Sequence, residues 1–146
     1  NIDNLHERAG SSHIIHLHGE LTKVCSSRDP HNPHYIKELK PEEYEVKMGD
    51  KAGDGTQLRP FIVWFGEAVP EIETAIQYVE KADIFVIIGT SLNVYPAAGL
   101  LHYVPRGAEV YLIDPKPVDT HTSRSIHVIQ KGASEGMGEL KQLLGV

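Results

Sequence analysis

The sequence predicts an α/β fold, a partial Rossmann-like parallel sheet with helices on both faces, together with a small inserted module. Two observations predict this architecture. Short strands that are apolar on both faces alternate with helical segments in the second half of the chain. In the first half, a polar stretch rich in Pro, His, Lys and Glu separates two apolar runs. The 146 residues, 40% hydrophobic and 23% charged, have the composition of an ordinary globular protein.

The second half of the chain carries the clearest elements. The run IFVII ends at a Gly-Thr-Ser triplet, and the run EVYLI ends at Asp-Pro. Continuous β-branched runs of this kind are typical of buried parallel strands, and the segments between them have the helical period of apolar residues. The predicted strands are 84–88, 109–113 and 126–129, and the predicted helices are 71–82, 96–103 and 135–144.

The first half predicts two further strands, 14–17 and 61–65, which stop at His18-Gly19 and at Gly66-Glu67. The stretch between them is too polar for the main core, and we interpret it as an inserted module. The predicted organisation is therefore a Rossmann-like domain formed by residues 1–19 and 61–146, with the module at residues 20–60.

Composition also excludes several partners and places. No apolar run approaches the roughly 20 residues that a membrane helix needs. The formal net charge of -6 argues against a nucleic-acid backbone as the main partner. The single Cys25 cannot form an internal disulfide, so we expect a reducing, cytoplasmic location.

The carboxyl ends of the predicted strands are candidate ligand sites, because open α/β sheets bind ligands there. Gly89, Thr90 and Ser91 could accept a phosphate or a ribose, although an ordinary loop that caps a helix is an equal alternative. Asp114 could hold ribose hydroxyls or simply start a turn, since Asp-Pro favours turns. The residues alone leave both pairs of alternatives open.

His18 is the preferred candidate for catalysis. It follows a predicted strand and precedes a glycine, and an imidazole suits a general base at neutral pH. His16 would face the same side of a regular strand, so position alone hardly separates the two. A packed or surface histidine is the alternative for both.

Cys25, His31 and His34 form a possible metal-ligand group, but zinc normally takes four ligands. We therefore favour solvated loop histidines and predict no metal here. A Cys25 nucleophile is also disfavoured, because no fixed histidine partner can be named for it.

Four motifs stand out along the chain: NIDNLHERAG at 1–10, HLHGEL at 16–21, RPFIVWFGE at 59–67 and GTSLNVYPAA at 89–98. Together they resemble the sirtuins, the NAD-dependent protein-lysine deacylases of the Sir2 type, and their sequences are most similar to the bacterial and mitochondrial branch that includes desuccinylases. The resemblance implies that NAD is the co-substrate, that acyl-lysine proteins are the substrates, and that the acyl group passes to ADP-ribose as nicotinamide leaves.

The resemblance also implies roles for individual residues. His18 matches the catalytic base that acts on a ribose hydroxyl of the NAD-derived intermediate. Asp114 stands where the family often has Asn for the adenosine ribose, and Ala133 stands where backbone groups meet adenine. The implied nicotinamide pocket is Asn1, Ile2 and Asp3, the ribose and phosphate loop is Gly89, Thr90 and Ser91, and the acyl-lysine tunnel is Val63, Phe65, Gly66, Glu67 and Val94.

Two departures from the family pattern give further expectations. Only Cys25 of the four zinc cysteines is present, and Arg28 stands where its partner would be. We expect a module without zinc, held by packing alone. The family's Gly-rich NAD loop lies upstream of Asn1, so we expect a truncated chain that needs the upstream half of the same protein and is inactive by itself. A non-catalytic nucleotide-binding or interaction domain is the alternative function.

Overall fold

The computed structural model describes residues 1–120 and 122–146. These residues form two compact units, Asn1–Glu71 and Ile72–Val146. The predicted boundaries between the Rossmann-like domain and the inserted module, after residue 19 and after residue 60, stay predictions. Every helix in the described ranges is too short or too polar to cross a lipid bilayer.

The first unit contains two short helical turns and a three-stranded antiparallel sheet. The turns are α1 (Leu5–Arg8) and a 3-10 turn (Pro33–Tyr35), and the strands are β1 (Gly19–Ser26), β2 (Lys37–Glu38) and β3 (Leu58–Ile62). The strand order is β2-β1-β3, with the central strand buried most deeply at its carboxyl end. Much of the segment interpreted as a polar module therefore builds this sheet.

Two predicted strands in this unit are wrong in their bounds. Residues 14–17 are not a strand; instead the N–H of Gly19 donates to His16 O at 3.1 Å, and β1 begins only after this turn. Gly19 has a φ of +77°, which glycine adopts without steric cost. The strand predicted at 61–65 lies at Leu58–Ile62, because a turn that starts at Trp64 ends it.

A buried hydrogen-bond network holds the end of β1. Ser26 is fully buried, and its hydroxyl donates to Asp54 Oδ2 at 2.6 Å and lies 2.9 Å from Thr56 Oγ1. The same oxygen accepts the backbone N–H groups of Arg28 and Asp29. The hydrogen bonds from Ser26 and Thr56 lower the pKa of Asp54 to about 2. The expectation that packing alone holds this module is therefore wrong.

The second unit contains the predicted parallel sheet. Its strands, in the order β4-β5-β6, all pair in parallel, which confirms the fold class. The elements of the unit are α2 (Ile72–Val79), β4 (Ile84–Ile88), a 3-10 helix (Ala97–Tyr103), β5 (Glu109–Ile113), β6 (His127–Ile129) and α3 (Ala133–Leu144).

The central strand β5 is buried on both faces, as a parallel strand between helices should be. Val110 and Leu112 pack with Val79 of α2 and Leu101 of the 3-10 helix. The alternate residues Tyr111 and Ile113 form a separate cluster with Ile129 of β6 and Leu140 of α3. Helices therefore cover both faces, and the predicted helix at 96–103 is of the 3-10 type.

Candidate functional site

The amino-terminal segment is tied to β1 and to the helical turn that follows it. The carbonyl of Ile2 accepts the N–H of Leu21 at 2.7 Å. Asp3 Oδ1 accepts the N–H of Leu5 at 3.0 Å, and this hydrogen bond lowers the pKa of Asp3. The predicted nicotinamide segment, Asn1 to Asp3, is thus fixed by its own backbone and carboxylate, with Asn1 exposed at its start.

The two neighbouring histidines have different surroundings. His16 Nε2 hydrogen-bonds the Glu7 carboxylate and lies 3.8 Å from Glu20 Oε2. The half-buried His18 ring has no hydrogen-bond partner in the part of the chain that the structure describes. A proton acceptor needs an available ring nitrogen: among the described residues both nitrogens of His18 are without a partner, whereas Nε2 of His16 is held by Glu7 and leaves Nδ1.

The backbone of His18 contacts the predicted acyl-lysine segment directly. Its carbonyl accepts the N–H of Val63 at 2.9 Å. After Val63 the chain turns, with the N–H of Glu67 donating to Trp64 O at 3.0 Å and Gly66 at a φ of +90°. A positive φ at the third position is what a type II turn requires. Phe65 lies at the tip of this turn and is 95% exposed.

The Glu67 carboxylate is fully engaged within the protein. Arg59 Nη1 donates to Glu67 Oε1 at 2.7 Å, and Arg59 Nη2 donates to Oε2 at 3.0 Å. The N–H of Trp64 donates to the same Oε2 at 3.0 Å. These bonds, that of Arg59 first, lower the pKa of Glu67 to about 2. Arg59 was not among the predicted site residues, because its only signal in the sequence was its place eight residues before an acidic residue in one motif.

The possible metal group of Cys25, His31 and His34 does not converge. Cys25 is buried, with Sγ 3.7 Å from Pro60 O, and burial raises the pKa of its thiol. The His31 ring meets the edge of Phe61, with ring centroids 6.3 Å apart.

Within residues 1–120 and 122–146, the side chains that do converge with metal-ligand spacing are Glu7, His16 and Glu20. Lys23 Nζ already lies 2.6 Å from Glu20 Oε1. We interpret this group as an ion-pair cluster, because a bound lysine ammonium competes with a metal for the carboxylate.

The second unit gathers the remaining predicted residues at the carboxyl ends of its parallel strands. Gly89, with a φ of +63°, follows β4, and Thr90 Oγ1 accepts the N–H of Leu92 at 3.2 Å. Asp114 follows β5, and its Oδ1 accepts the N–H of Lys116 at 2.8 Å, which is the turn alternative for this residue. Ala133 is the first residue of α3, after β6.

A pocket of about 220 Å³ opens beside the carboxyl ends of β4 and β5. Ser91, Asn93, Asp114 and Lys116 are among the residues that line it. The position beyond the carboxyl ends is where α/β sheets bind nucleotides. Val94, predicted as a tunnel wall, also belongs to this unit and is 45% exposed.

Comparison with known proteins identifies the family of the chain. The Sir2 family profile matches residues 1–96. The chain belongs to the Sir2 family. This chain is 94% identical over 144 residues to an NAD-dependent protein deacylase of Bacteroides thetaiotaomicron, in an alignment that covers 99% of this chain and 62% of that protein. It is 47% identical over 140 residues to an NAD-dependent protein deacylase of Helicobacter pylori, covering 96% of this chain and 58% of that protein.

Solved structures agree with this assignment. A Sir2 homolog in complex with NAD superposes with a TM-score of 0.79 at 35% identity, covering 99% of this chain and 56% of that one. A Sir2 protein with a p53 peptide and NAD+ gives a TM-score of 0.76 at 27% identity, covering 99% of this chain and 61% of that one. The chain spans about three fifths of the length of the curated relatives named above.

Proposed function

We propose that the intact protein is an NAD-dependent protein-lysine deacylase. In this reaction NAD supplies the ribose that receives the acyl group, and nicotinamide is the leaving group. The proposal is supported by the Sir2 family membership and by the names of the relatives that match nearly the whole chain. It is also supported by solved Sir2 relatives that bind NAD and peptides.

The residues of the first unit would act on the acyl-lysine and on the reacting ribose. His18 would take a proton from a ribose hydroxyl, and Asn1, Ile2 and Asp3 would hold the nicotinamide amide. The loop at Val63, Phe65 and Gly66 would bind the acyl-lysine, whose peptide would pair as an added strand. Glu67 would shape this loop through Arg59, and Val94 is proposed as a further residue that contacts the acyl-lysine.

The residues of the second unit would hold the rest of NAD. Gly89, Thr90 and Ser91 offer backbone N–H groups and hydroxyls to ribose and phosphate, and Asp114 offers a carboxylate to ribose hydroxyls. Ala133 would meet adenine through its backbone. The donor set fits such a ligand, because these residues share one edge of a parallel sheet beside an open pocket.

One observation carries the proposal: the half-buried His18 has no ring partner among the described residues, and its carbonyl is bonded to Val63. A base without a competing partner therefore stands at the start of the loop that would receive the acyl-lysine. We further propose acylated proteins as substrates, as the family resemblance implies, and a cytoplasmic location with no nucleic-acid or membrane partner, as the composition predicts.

Activity of the intact protein on an acyl-lysine peptide, with and without NAD, tests the function. We expect acyl loss only with NAD, and a loss of roughly 100-fold or more in kcat for His18→Ala, since general bases contribute about 10²–10⁴-fold. His13→Ala is the matched control, because His13 is exposed and bonds only its neighbour Ser12. Unchanged activity of His18→Ala would contradict the assignment. NAD binding without turnover would favour the non-catalytic alternative.

A further inference from the structure

Arg59 lies near the start of β3 in the antiparallel sheet of the first unit, and its guanidinium joins this strand to the loop that follows it. It lies on β3 and pairs in register with the buried Cys25 of β1, so its backbone is firmly placed. Its Nη2 donates to the carbonyl of Ile62, the last residue of β3, at 3.0 Å. The same guanidinium makes the two bonds to Glu67 described above.

Glu67 in turn closes the loop on itself. Its Oε2 accepts the N–H of Trp64 while its own N–H donates to the carbonyl of Trp64. Side chain and backbone therefore fix the same four-residue turn. Arg59 Cζ also lies 6.0 Å from the centroid of the Trp64 ring. We name this arrangement of Arg59, Glu67 and the turn the loop clip.

The two ends of the loop are held by different groups. Its start is bonded to the carbonyl of His18 through the N–H of Val63, and its end is bonded to the guanidinium of Arg59. The exposed Phe65 and Gly66 lie between these two anchors. A bidentate arginine–carboxylate pair constrains direction as well as distance, so the clip sets where the loop stands relative to His18.

We propose that Arg59 is a positioning residue for acyl-lysine binding, acting through Glu67 to hold the loop Val63–Glu67 in its binding conformation. This inference rests on the proposed deacylase function and adds a residue that touches no substrate itself. A loop that is ordered before binding does not spend binding energy on ordering. Loss of the clip therefore weakens the binding of acylated peptide, while the NAD-binding edge of the second unit is left intact.

Steady-state kinetics of the intact protein test the clip. For Arg59→Met we expect the KM for an acyl-lysine peptide to rise by roughly tenfold, because the peptide must then order the loop as it binds. The KM for NAD and the kcat should change by less than about twofold. Arg59→Lys keeps the charge without the planar fork and should recover part of the effect. Arg106→Met makes the same chemical change at an exposed arginine and should leave all parameters unchanged.

A double-mutant cycle and hydrogen exchange separate positioning from a general structural role. If Arg59 acts through Glu67, the double variant Arg59→Met/Glu67→Gln should raise the KM for the peptide about as much as either single variant does. Its increase should not equal the product of the two single increases. The amides of residues 64–67 should exchange faster in Arg59→Met, while those of β1 and β3 should not. Faster exchange in the strands would show that the variant is misfolded, and Glu67→Gln alone then decides, by the same rise in peptide KM.

The outcomes distinguish this inference from the proposed function. An active wild-type protein whose peptide KM is unchanged in both Arg59→Met and Glu67→Gln overturns the clip and leaves the function standing. A wild-type protein that never deacylates a peptide overturns both. Multiplicative effects in the double variant would also contradict the proposal, because the two residues would then act independently.

Discussion

Replacing Ser26 by alanine removes the centre of the hydrogen-bond network that stands at the end of β1. Ser26 is fully buried, and its hydroxyl makes one bond to a charged acceptor, Asp54, at 2.6 Å. A hydrogen bond to a charged group contributes about 1.5–3 kcal/mol. The N–H groups of Arg28 and Asp29 also lose their acceptor, but both residues are exposed and water can replace it.

We therefore expect Ser26→Ala to lower the free energy of unfolding by about 2–3 kcal/mol. For a protein of 150–250 residues this corresponds to a fall in Tm of roughly 4–12 °C. Differential scanning calorimetry of the intact protein measures it. Ser27→Ala is the matched control, since Ser27 is exposed and next in sequence, and it should stay within about 0.5 kcal/mol of wild type.

The pH dependence of this difference follows from the carboxylate. The pKa of Asp54 is lowered from 3.8 to about 2, chiefly by its bond from Ser26. A lowered pKa gives stability that is fully present above the ordinary value and is lost as the pH falls through the folded value. The gap in Tm between wild type and Ser26→Ala should accordingly narrow between pH 4 and pH 2. Equal Tm values for Ser26→Ala and Ser27→Ala at neutral pH would refute the reasoning.

Three further predictions use glycines and metal content. Gly19→Ala should lower the free energy of unfolding by about 2–4 kcal/mol, because Gly19 has a left-handed backbone and an added Cβ would lie 2.2 Å from Phe61 O. Gly10→Ala is the control, since Gly10 has a φ of +89° with open space around it, and thermal unfolding should show a smaller loss of stability for this variant. Gly136→Ala should destabilise the protein, because an added Cβ would lie 2.3 Å from Ile113 Cγ2. Gly138 lies in the same helix with open space around it, so Gly138→Ala should stabilise the protein by about 0.5–1 kcal/mol. A lower Tm for Gly138→Ala than for Gly136→Ala would contradict this packing. Elemental analysis should find no zinc, and EDTA should leave the Tm unchanged. One zinc per chain would contradict the prediction of a module without zinc.

The parallel strands could be predicted from the sequence because both of their faces are buried. The run 109–113 is apolar throughout, and the structure places its alternate residues in two separate cores. β1 was missed because Glu20, Thr22 and Lys23 interrupt its apolar residues, so that the segment reads as polar. Its pairing with Leu58–Ile62 depends on residues more than thirty positions away, which local pattern cannot indicate.

The candidate site was predictable in its motifs and not in its contacts. The sequence placed His16 in a predicted strand and His18 directly after it, and position alone hardly separated the two. The structure distinguishes their surroundings, because Glu7, nine residues from His16, binds Nε2 of that histidine. Glu67 was predicted as a tunnel wall, whereas its two oxygens bind Arg59 and the N–H of Trp64. Such partners depend on how turns bring the chain together, which residue type and spacing do not specify.

The products formed by the intact protein test the proposed deacylase function most directly. Mass spectrometry of a reaction with an acyl-lysine peptide and NAD should find deacylated peptide, nicotinamide and acyl-ADP-ribose in equal amounts, and no reaction when NAD is left out. Deacylation that proceeds without NAD, or that releases the free acid as the first product, would contradict the account.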